Sequence, residues 1–158
     1  MAIFFNTRGE QHREFRNTSE HSFILEGNYW KTAEHYVQAQ RFQCDEAKEL
    51  VRDSEYAFAA KSIARERPDA LRDDWHTVRD SVMEKAVRTK FAAHPKLGEK
   101  LKATGDAEII EASPFNHYWG AGADGKGKNI LGRILMKIRT ELQESLLLTG
   151  AQSENRLG

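Results

Sequence analysis

Residues 128–148 place the strongest constraint on what this chain can fold into. Ile130, Leu131, Ile134, Leu135, Ile138 and Leu142 recur at three- and four-residue steps, the spacing of one helix face. A helix so marked has to lie against a hydrophobic partner. Just before it, Trp119-Gly-Ala-Gly-Ala-Asp-Gly-Lys-Gly-Lys-Asn129 carries Gly120, Gly122, Gly125 and Gly127, too many glycines to continue any regular element. The pattern predicts a loop from Ser113 to Gly127 and a helix from about Lys128 to Leu148, ended by Gly150. Residues 1–150 are read as one domain and 151–158 as a disordered tail.

Upstream, the chain changes character at Thr32. Before it lie strand-like pieces: Ala2-Ile-Phe-Phe, then Ser22-Phe-Ile-Leu-Glu and Tyr29-Trp30 as a hairpin around Gly27, with a polar loop from Asn6 to His21 between. After it, helices follow one another. Thr32 is the expected N-cap of a helix to about Gln43, Asp45 that of one ending near Asp53, and Ser54 that of one from Glu55 to about Glu66. Pro68 stops the third. Asp73 or Asp74 opens a longer helix near 75–93, broken by His94-Pro95; a short helix then runs to Thr104 and Gly105. Glu108-Ile-Ile-Glu-Ala reads as a buried strand. The expected class is α+β, mainly helical, with a small sheet of three or four short strands.

Composition narrows the function classes. Lysine and arginine balance aspartate and glutamate to a formal net charge of zero, which argues against a structural DNA-binding protein and makes any anion site local. No apolar run approaches the roughly 20 residues of a membrane span. The start Met1-Ala-Ile-Phe-Phe lacks the layout of a signal peptide, and the single cysteine, Cys44, has no internal partner, so a cytoplasmic protein with no membrane association is expected. The histidines show no metal-ligand spacing, and neither metal nor cofactor is expected.

Three segments carry candidate chemistry. In the glycine loop, bare backbone with Lys126, Lys128 and a helix N-terminus suits a phosphate. Gly122 through Lys128 fits G-x-x-x-x-G-K, but Asn129 stands where a nucleotide-binding P-loop needs Ser or Thr, and Phe115-Asn-His-Tyr-Trp is no buried strand; a nucleotide triphosphatase is excluded. In the Thr32–Phe42 helix, Glu34 and Gln38 share a face, with Arg41 further along it, and a carboxylate and an amide one turn apart suit ribose hydroxyls, although this segment alone reads as an ordinary exposed face. Trp75, near several arginines at a helix start, either packs in the core or stacks on a base.

Taken together, these segments resemble the NADAR family, also described as YbiA-like. The resemblance rests on Phe4-Phe5, Phe15-Arg-Asn17, Trp30-Lys-Thr-Ala-Glu-His-Tyr-Val-Gln-Ala-Gln-Arg-Phe42, Arg72-Asp-Asp-Trp75, Asn116-His-Tyr-Trp-Gly120 and Gly125-Lys-Gly-Lys-Asn-Ile-Leu-Gly132. It spans about residues 4 to 140 in the family's order. It implies an N-glycosidase that breaks a bond between ribose C1 and an amine nitrogen. Two activities go with the family: removal of ADP-ribose from the guanine amino group in nucleic acid, with an ADP-ribosyltransferase toxin of the DarT type as genetic partner, and hydrolysis of phosphoribosylamino-pyrimidine intermediates of riboflavin synthesis.

Carried onto this chain, the resemblance implies Glu34, Asn116 and Lys128 as the catalytic positions. It implies Asn17, Gln38, Trp75, Trp119, Gly120, Asp124, Gly125, Gly127 and Asn129 as ligand-binding ones. Lys128 either contacts phosphate or attacks the opened ribose as an amine. Three positions depart from the family pattern: Lys31 replaces proline, Arg16 replaces serine, and Asn116 replaces aspartate. The last exchange, whether by divergence or by design, keeps the shape and removes a group able to move a proton. The competing expectation is therefore a non-catalytic module that binds ADP-ribose or NAD.

Overall fold

The computed structural model describes residues 1–6 and 8–154. In chain order these form β1 (Ala2–Phe5), β2 (Phe23–Leu25), β3 (Asn28–Trp30), α1 (Ala33–Gln40), α2 (Asp45–Asp53), α3 (Ala57–Glu66), α4 (Trp75–Ala93), α5 (Pro95–Lys102), β4 (Glu108–Glu111) and α6 (Ile130–Glu154). Single 3-10 turns lie at Arg13–Phe15 and Pro68–Ala70. The class is α+β and mainly helical. The short strands pair two by two: β1 runs parallel to β4, and β2 antiparallel to β3. The chain divides into two compact units, one of Met1–Phe5 with the segment from Pro95 onward, the other of Asn6–His94. Among the described residues no helix is long and apolar enough to cross a membrane.

In the Asn6–His94 unit, the hairpin forms because Glu26 and Gly27 both adopt left-handed backbone, at φ 55° and 78°. This is the two-residue turn whose twist matches paired strands. Its center is α1, which packs against α2, α3, α4 and β3. Every residue from Ala33 to Ala39 is buried, charged and polar ones included. Thr32 caps this helix as expected, its hydroxyl accepting the His35 N–H at 3.1 Å. Two expected caps differ. Cys44, not Asp45, caps α2, its sulfur accepting the Ala47 N–H at 3.4 Å. Ser54 does not cap α3; its hydroxyl donates back to the Val51 carbonyl at 2.6 Å and closes α2 instead. The buried face of α4 is Met83, Ala86, Val87, Lys90 and Phe91, a lysine included.

In the other unit, β1 and β4 align Ala2 with Glu108 through Phe5 with Glu111. The core joins Phe5, Leu97, Leu101, Ile109, Leu131, Ile134, Leu135 and Ile138; the middle of the α6 stripe is buried, and its ends, Ile130 and Leu142, are half-buried. Arg139, also buried, donates to Thr104 Oγ1 at 2.9 Å and the Ala107 carbonyl at 2.7 Å, tying α6 to the turn before β4. The helix starts two residues later than expected because Asn129 sits at φ 51°, outside helical geometry. It also continues past Gly150 to Glu154. Of the tail expected at 151–158, residues 155–158 lie outside the described residues.

Asn129 acts as a clamp on β4. Its side-chain oxygen accepts the Glu111 N–H and its nitrogen donates to the Ile109 carbonyl, each at 2.9 Å. Asn129→Ala leaves two buried backbone groups unpaired and is expected to cost about 2–4 kcal/mol. Urea denaturation checks this; a loss under about 0.5 kcal/mol, the size of an ordinary surface change, would contradict the clamp.

Candidate functional site

The candidate residues divide between the two units. Asn17, Glu34, Gln38 and Trp75 belong to Asn6–His94, and the remaining positions to the other.

The first group is built on α1. Glu34 N–H donates to the Asn17 carbonyl at 2.9 Å, and Asn17 Nδ2 donates back to the Glu34 carboxylate. Gln38, one turn on, donates from Nε2 to Glu34 Oε1 at 2.6 Å. Arg41 Nη1 donates to Gln38 Oε1 at 3.1 Å, and its guanidinium lies 5.8 Å over the Trp75 ring. Trp75 reaches this place because Phe42 bridges Leu71 and Arg72 N–H donates to the Arg41 carbonyl at 2.8 Å, pinning the entry of α4 beside the exit of α1. Four positions named from the sequence thus form one connected cluster. The exposed-face reading of α1 is overturned: Glu34 and Gln38 are each 7% exposed.

Burial pushes the Glu34 carboxyl above the usual carboxylate range; the Gln38 hydrogen bond and the charges of Lys61 and Arg41 oppose that push. A buried carboxyl of this kind holds a proton near neutral pH more readily than a solvated one, which suits a general acid. Arg41 Nε is buried with no acceptor among the described residues, so the guanidinium keeps an unspent donor. Neither Arg41 nor Lys61 was singled out from the sequence as a site residue. Arg41 was visible there on the Glu34 face; nothing marked Lys61, because its effect on Glu34 arises only when α3 packs on α1. The adjacent His35 has a structural role: Nδ1 meets Thr32 Oγ1 at 2.8 Å, Nε2 meets the Ser54 carbonyl at 3.1 Å, and burial lowers its pKa.

The second group is the glycine loop, and its glycines serve the fold. A Cβ on Gly120 would lie 2.0 Å from Glu111 Oε2, and one on Gly127 2.4 Å from the Gly120 carbonyl. The backbone amides from Gly125 to Leu131 are committed as well. Gly125 N–H donates to Gly122 and Gly127 to Ala121; Lys128, Asn129, Ile130 and Leu131 donate to His117, Gly120, Tyr118 and Trp119. Lys126 N–H is held by Asp124 Oδ1 at 3.0 Å. The expected phosphate cradle from Gly120 to Gly127 and the α6 N-terminus therefore loses the donors from Gly125 to Leu131, which already have acceptors. What this loop offers an anion is side chains, Lys126 and Lys128, both exposed. Lys128 Nζ lies 5.5 Å over the Tyr118 ring, which meets Trp119 edge-on at 5.0 Å.

Asn116 has a local task. Its Oδ1 accepts the N–H groups of Tyr118 at 3.1 Å and Trp119 at 2.8 Å, closing the turn that presents both rings. An aspartate there would accept the same two bonds, and they would favor its ionised form, making it a poor proton donor. Glu111, not singled out from the sequence, is 6% exposed at the base of this loop, with burial raising its pKa and the Ser113 N–H at 3.0 Å on Oε1 opposing.

Lys90 anchors the loop that carries Asn17. It is 1% exposed, and Nζ donates to the carbonyls of Glu14 at 2.6 Å and Arg16 at 2.8 Å. Burial brings its pKa down from 10.5 to about 7. A neutral amine still has two N–H donors, one for each carbonyl. The unfolded chain holds this proton up to about pH 10.5 and the folded chain releases it near 7, so the contribution to stability is complete above the higher value and is lost as pH falls toward the lower. Stability is therefore expected to rise from about pH 7 to 10, and Lys90→Met to flatten the rise. Denaturant melts across that range test it; an equally steep rise in the variant would place its origin elsewhere.

Comparison with known proteins follows the same outline. The family profile described as the NADAR domain matches residues 3–143. The N-glycosidase YbiA of Shigella flexneri is 38% identical over 140 residues, covering 89% of this chain and 88% of the relative. An N-glycosidase of Nostoc punctiforme is 36% identical over 153 residues, covering 95% and 98%. A riboflavin biosynthesis protein of Vibrio vulnificus is 42% identical over 142 residues, 90% of this chain but 39% of that longer protein. The solution structure of Escherichia coli YbiA matches with a TM-score of 0.83 at 35% identity, over 93% of this chain and 89% of the other.

Proposed function

This chain belongs to the NADAR family, and several of its relatives are named N-glycosidases; from that premise we propose that it removes ADP-ribose from the guanine amino group of nucleic acid, with Glu34 as the general acid. The observation that carries the proposal is the buried Glu34 carboxyl gripped by Asn17 and Gln38 beside the Arg41–Trp75 stack. Cleavage of a glycosylamine needs a proton delivered to the leaving nitrogen or the ring oxygen while the C1–N bond breaks, and water or an amine to complete the exchange. Burial supplies the proton-holding carboxyl, and the two amides fix its orientation. Trp75 offers a flat face for the nucleotide part, and Arg41 an N–H toward its oxygens. Taken within its own unit, the glycine loop offers an anion the side chains of Lys126 and Lys128, Lys128 as a phosphate contact, beside the Trp119 ring. Asp124 and Asn116 shape the loop rather than move protons. In this reading the chain reverses the product of an ADP-ribosyltransferase.

The riboflavin name of the Vibrio relative favors a second substrate, a ribosylamino-pyrimidine, for the same bond and the same acid.

The test is release of ADP-ribose from an oligonucleotide carrying ADP-ribosylated guanine, run beside a phosphoribosylamino-pyrimidine. Glu34→Gln is expected to lower kcat by about 10²–10⁴ on the true substrate, and Asn116→Asp to change it less than about tenfold. Turnover of the pyrimidine alone transfers the assignment to it; unchanged turnover in Glu34→Gln removes Glu34 as the acid. Because the protonated carboxyl is the active form, kcat falls as pH rises through the Glu34 pKa. Lys61→Met removes a charge that lowers this pKa, so the falling limb moves to higher pH. A limb unmoved in Lys61→Met, measured by initial rates, counts against Glu34 as its source.

A further inference from the structure

The Asn6–His94 unit holds a cavity of about 480 Å³ that the cleavage chemistry does not use, lined among others by Tyr29, Lys31, His35, Glu55, Tyr56 and Phe58. Its volume falls within the roughly 300–1,000 Å³ of small-ligand sites.

One wall is fixed by a single carbonyl. Ser54 O receives both Lys31 Nζ at 2.6 Å and, across 3.1 Å, His35 Nε2, so the segment Glu55–Phe58 is tied to the start of α1. Lys31 also donates to the Asp53 carbonyl at 3.2 Å. These bonds occupy the cation and the imidazole that line the cavity, leaving little there to hold a phosphate. What remains is three aromatic rings and two carboxylates. Tyr29, Tyr56 and Phe58 are 58%, 55% and 66% exposed, unusual for rings with so much apolar surface to hide. Glu20 and Glu55 also line the cavity, and among the described residues no hydrogen bond or ion pair engages either carboxylate.

The Phe58 ring already carries the Arg65 guanidinium at 5.9 Å from its centroid, so stacking rests first on Tyr29 and Tyr56; rings and free acceptors together select a flat ligand whose edge presents donors. Exposed rings stack on any base. A carboxylate is more selective, since both its oxygens accept and neither donates. The adenine pairing edge sets a donor beside an acceptor, as does that of cytosine, and uracil and thymine flank one donor with two acceptors. Only a guanine-type edge, an amide N–H beside an amino group, offers two parallel donors to two carboxylate oxygens. We propose that this cavity binds a guanine-type base, flat against Tyr29, Tyr56 and Phe58, with its donor edge on the carboxylates of Glu20 and Glu55. The base comes either from a free guanine nucleotide or from an unpaired guanine in a strand. The inference stands apart from the role of Glu34: the base held here has a free amino group and is not the guanine whose amino nitrogen carries the ribose, because that nitrogen has to lie at Glu34.

Calorimetry with GMP, IMP and AMP, with amide shifts mapped by NMR, tests it. GMP is expected to bind about tenfold or more tighter than IMP, which lacks the amino group, and than AMP. The shifts should fall on residues 18–58. The double variant Glu20→Gln with Glu55→Gln should abolish the preference for GMP. Tyr56→Ala should weaken GMP about tenfold, and Tyr56→Phe should restore it, which separates stacking from misfolding. The pentamers d(TTGTT) and d(TTATT) separate the sources: tighter binding of the first than of GMP assigns the site to a base in a strand, and equal binding to a free nucleotide. Equal affinity for GMP and AMP, shifts on the glycine loop, or a guanine preference that survives the double variant would overturn the proposal. Loss of cleavage in Glu34→Gln with GMP binding intact leaves it standing, and failure of cleavage on every substrate bears only on the function proposed above.

Discussion

A helix buried along its whole length cannot carry a carboxylate without providing for it, and α1 carries one at Glu34. Removing a carboxylate from water is costly unless its oxygens are satisfied, and failing full compensation the group retains its proton more strongly. Both responses are present. The amides of Asn17 and Gln38 reach the carboxylate, and burial still pushes its pKa up. Much of the Asn6–His94 unit serves this arrangement. The loop carrying Asn17 is hung on Lys90, Arg41 is placed by the strand-like bridge between Phe42 and Leu71, and His35 and Thr32 secure the helix start. A network of this kind rigidifies only when every member is paired, which is why so many polar groups around α1 have specific partners.

The glycine loop obeys a different constraint. Its chain has to turn back on itself between Trp119 and Leu131 while touching β4, and the close approaches at Gly120, Gly127 and Gly132 leave no room for a side chain. The cost of bringing so much backbone together is met by hydrogen bonds within the loop, which consume the donors from Gly125 to Leu131. Glycine content by itself is thus silent on whether bare amides face a ligand or face each other.

The three departures from the family pattern have local explanations. Lys31, in place of proline, ties the joint between α2 and α3 to the start of α1. Arg16, in place of serine, donates to the Gly9 carbonyl and braces the loop that carries Asn17. Asn116, in place of aspartate, supplies one oxygen to two N–H groups, a task to which its second atom is irrelevant. Each of the three side chains thus has a definite structural role in this chain.

The sequence by itself determined the class, the order of the elements, the hairpin at Gly27, the apolar stripe of α6 and the family, because caps, turn residues and periodicity act over a few positions and can be read in one dimension. It also drew attention, through motif resemblance, to Glu34, Gln38, Asn17 and Trp75, which the structure brings into one cluster. Only the tertiary structure decided that the polar face of α1 is buried, that a lysine joins the core face of α4, and that Asn129 and the loop amides are spent on the fold. Burial, and with it the pKa of Glu34 and of Lys90, depends on what packs against a residue from segments tens of positions away. The same holds for Arg41 on Trp75 and for Lys61 near Glu34, where the partner lies on another helix and no local spacing records it.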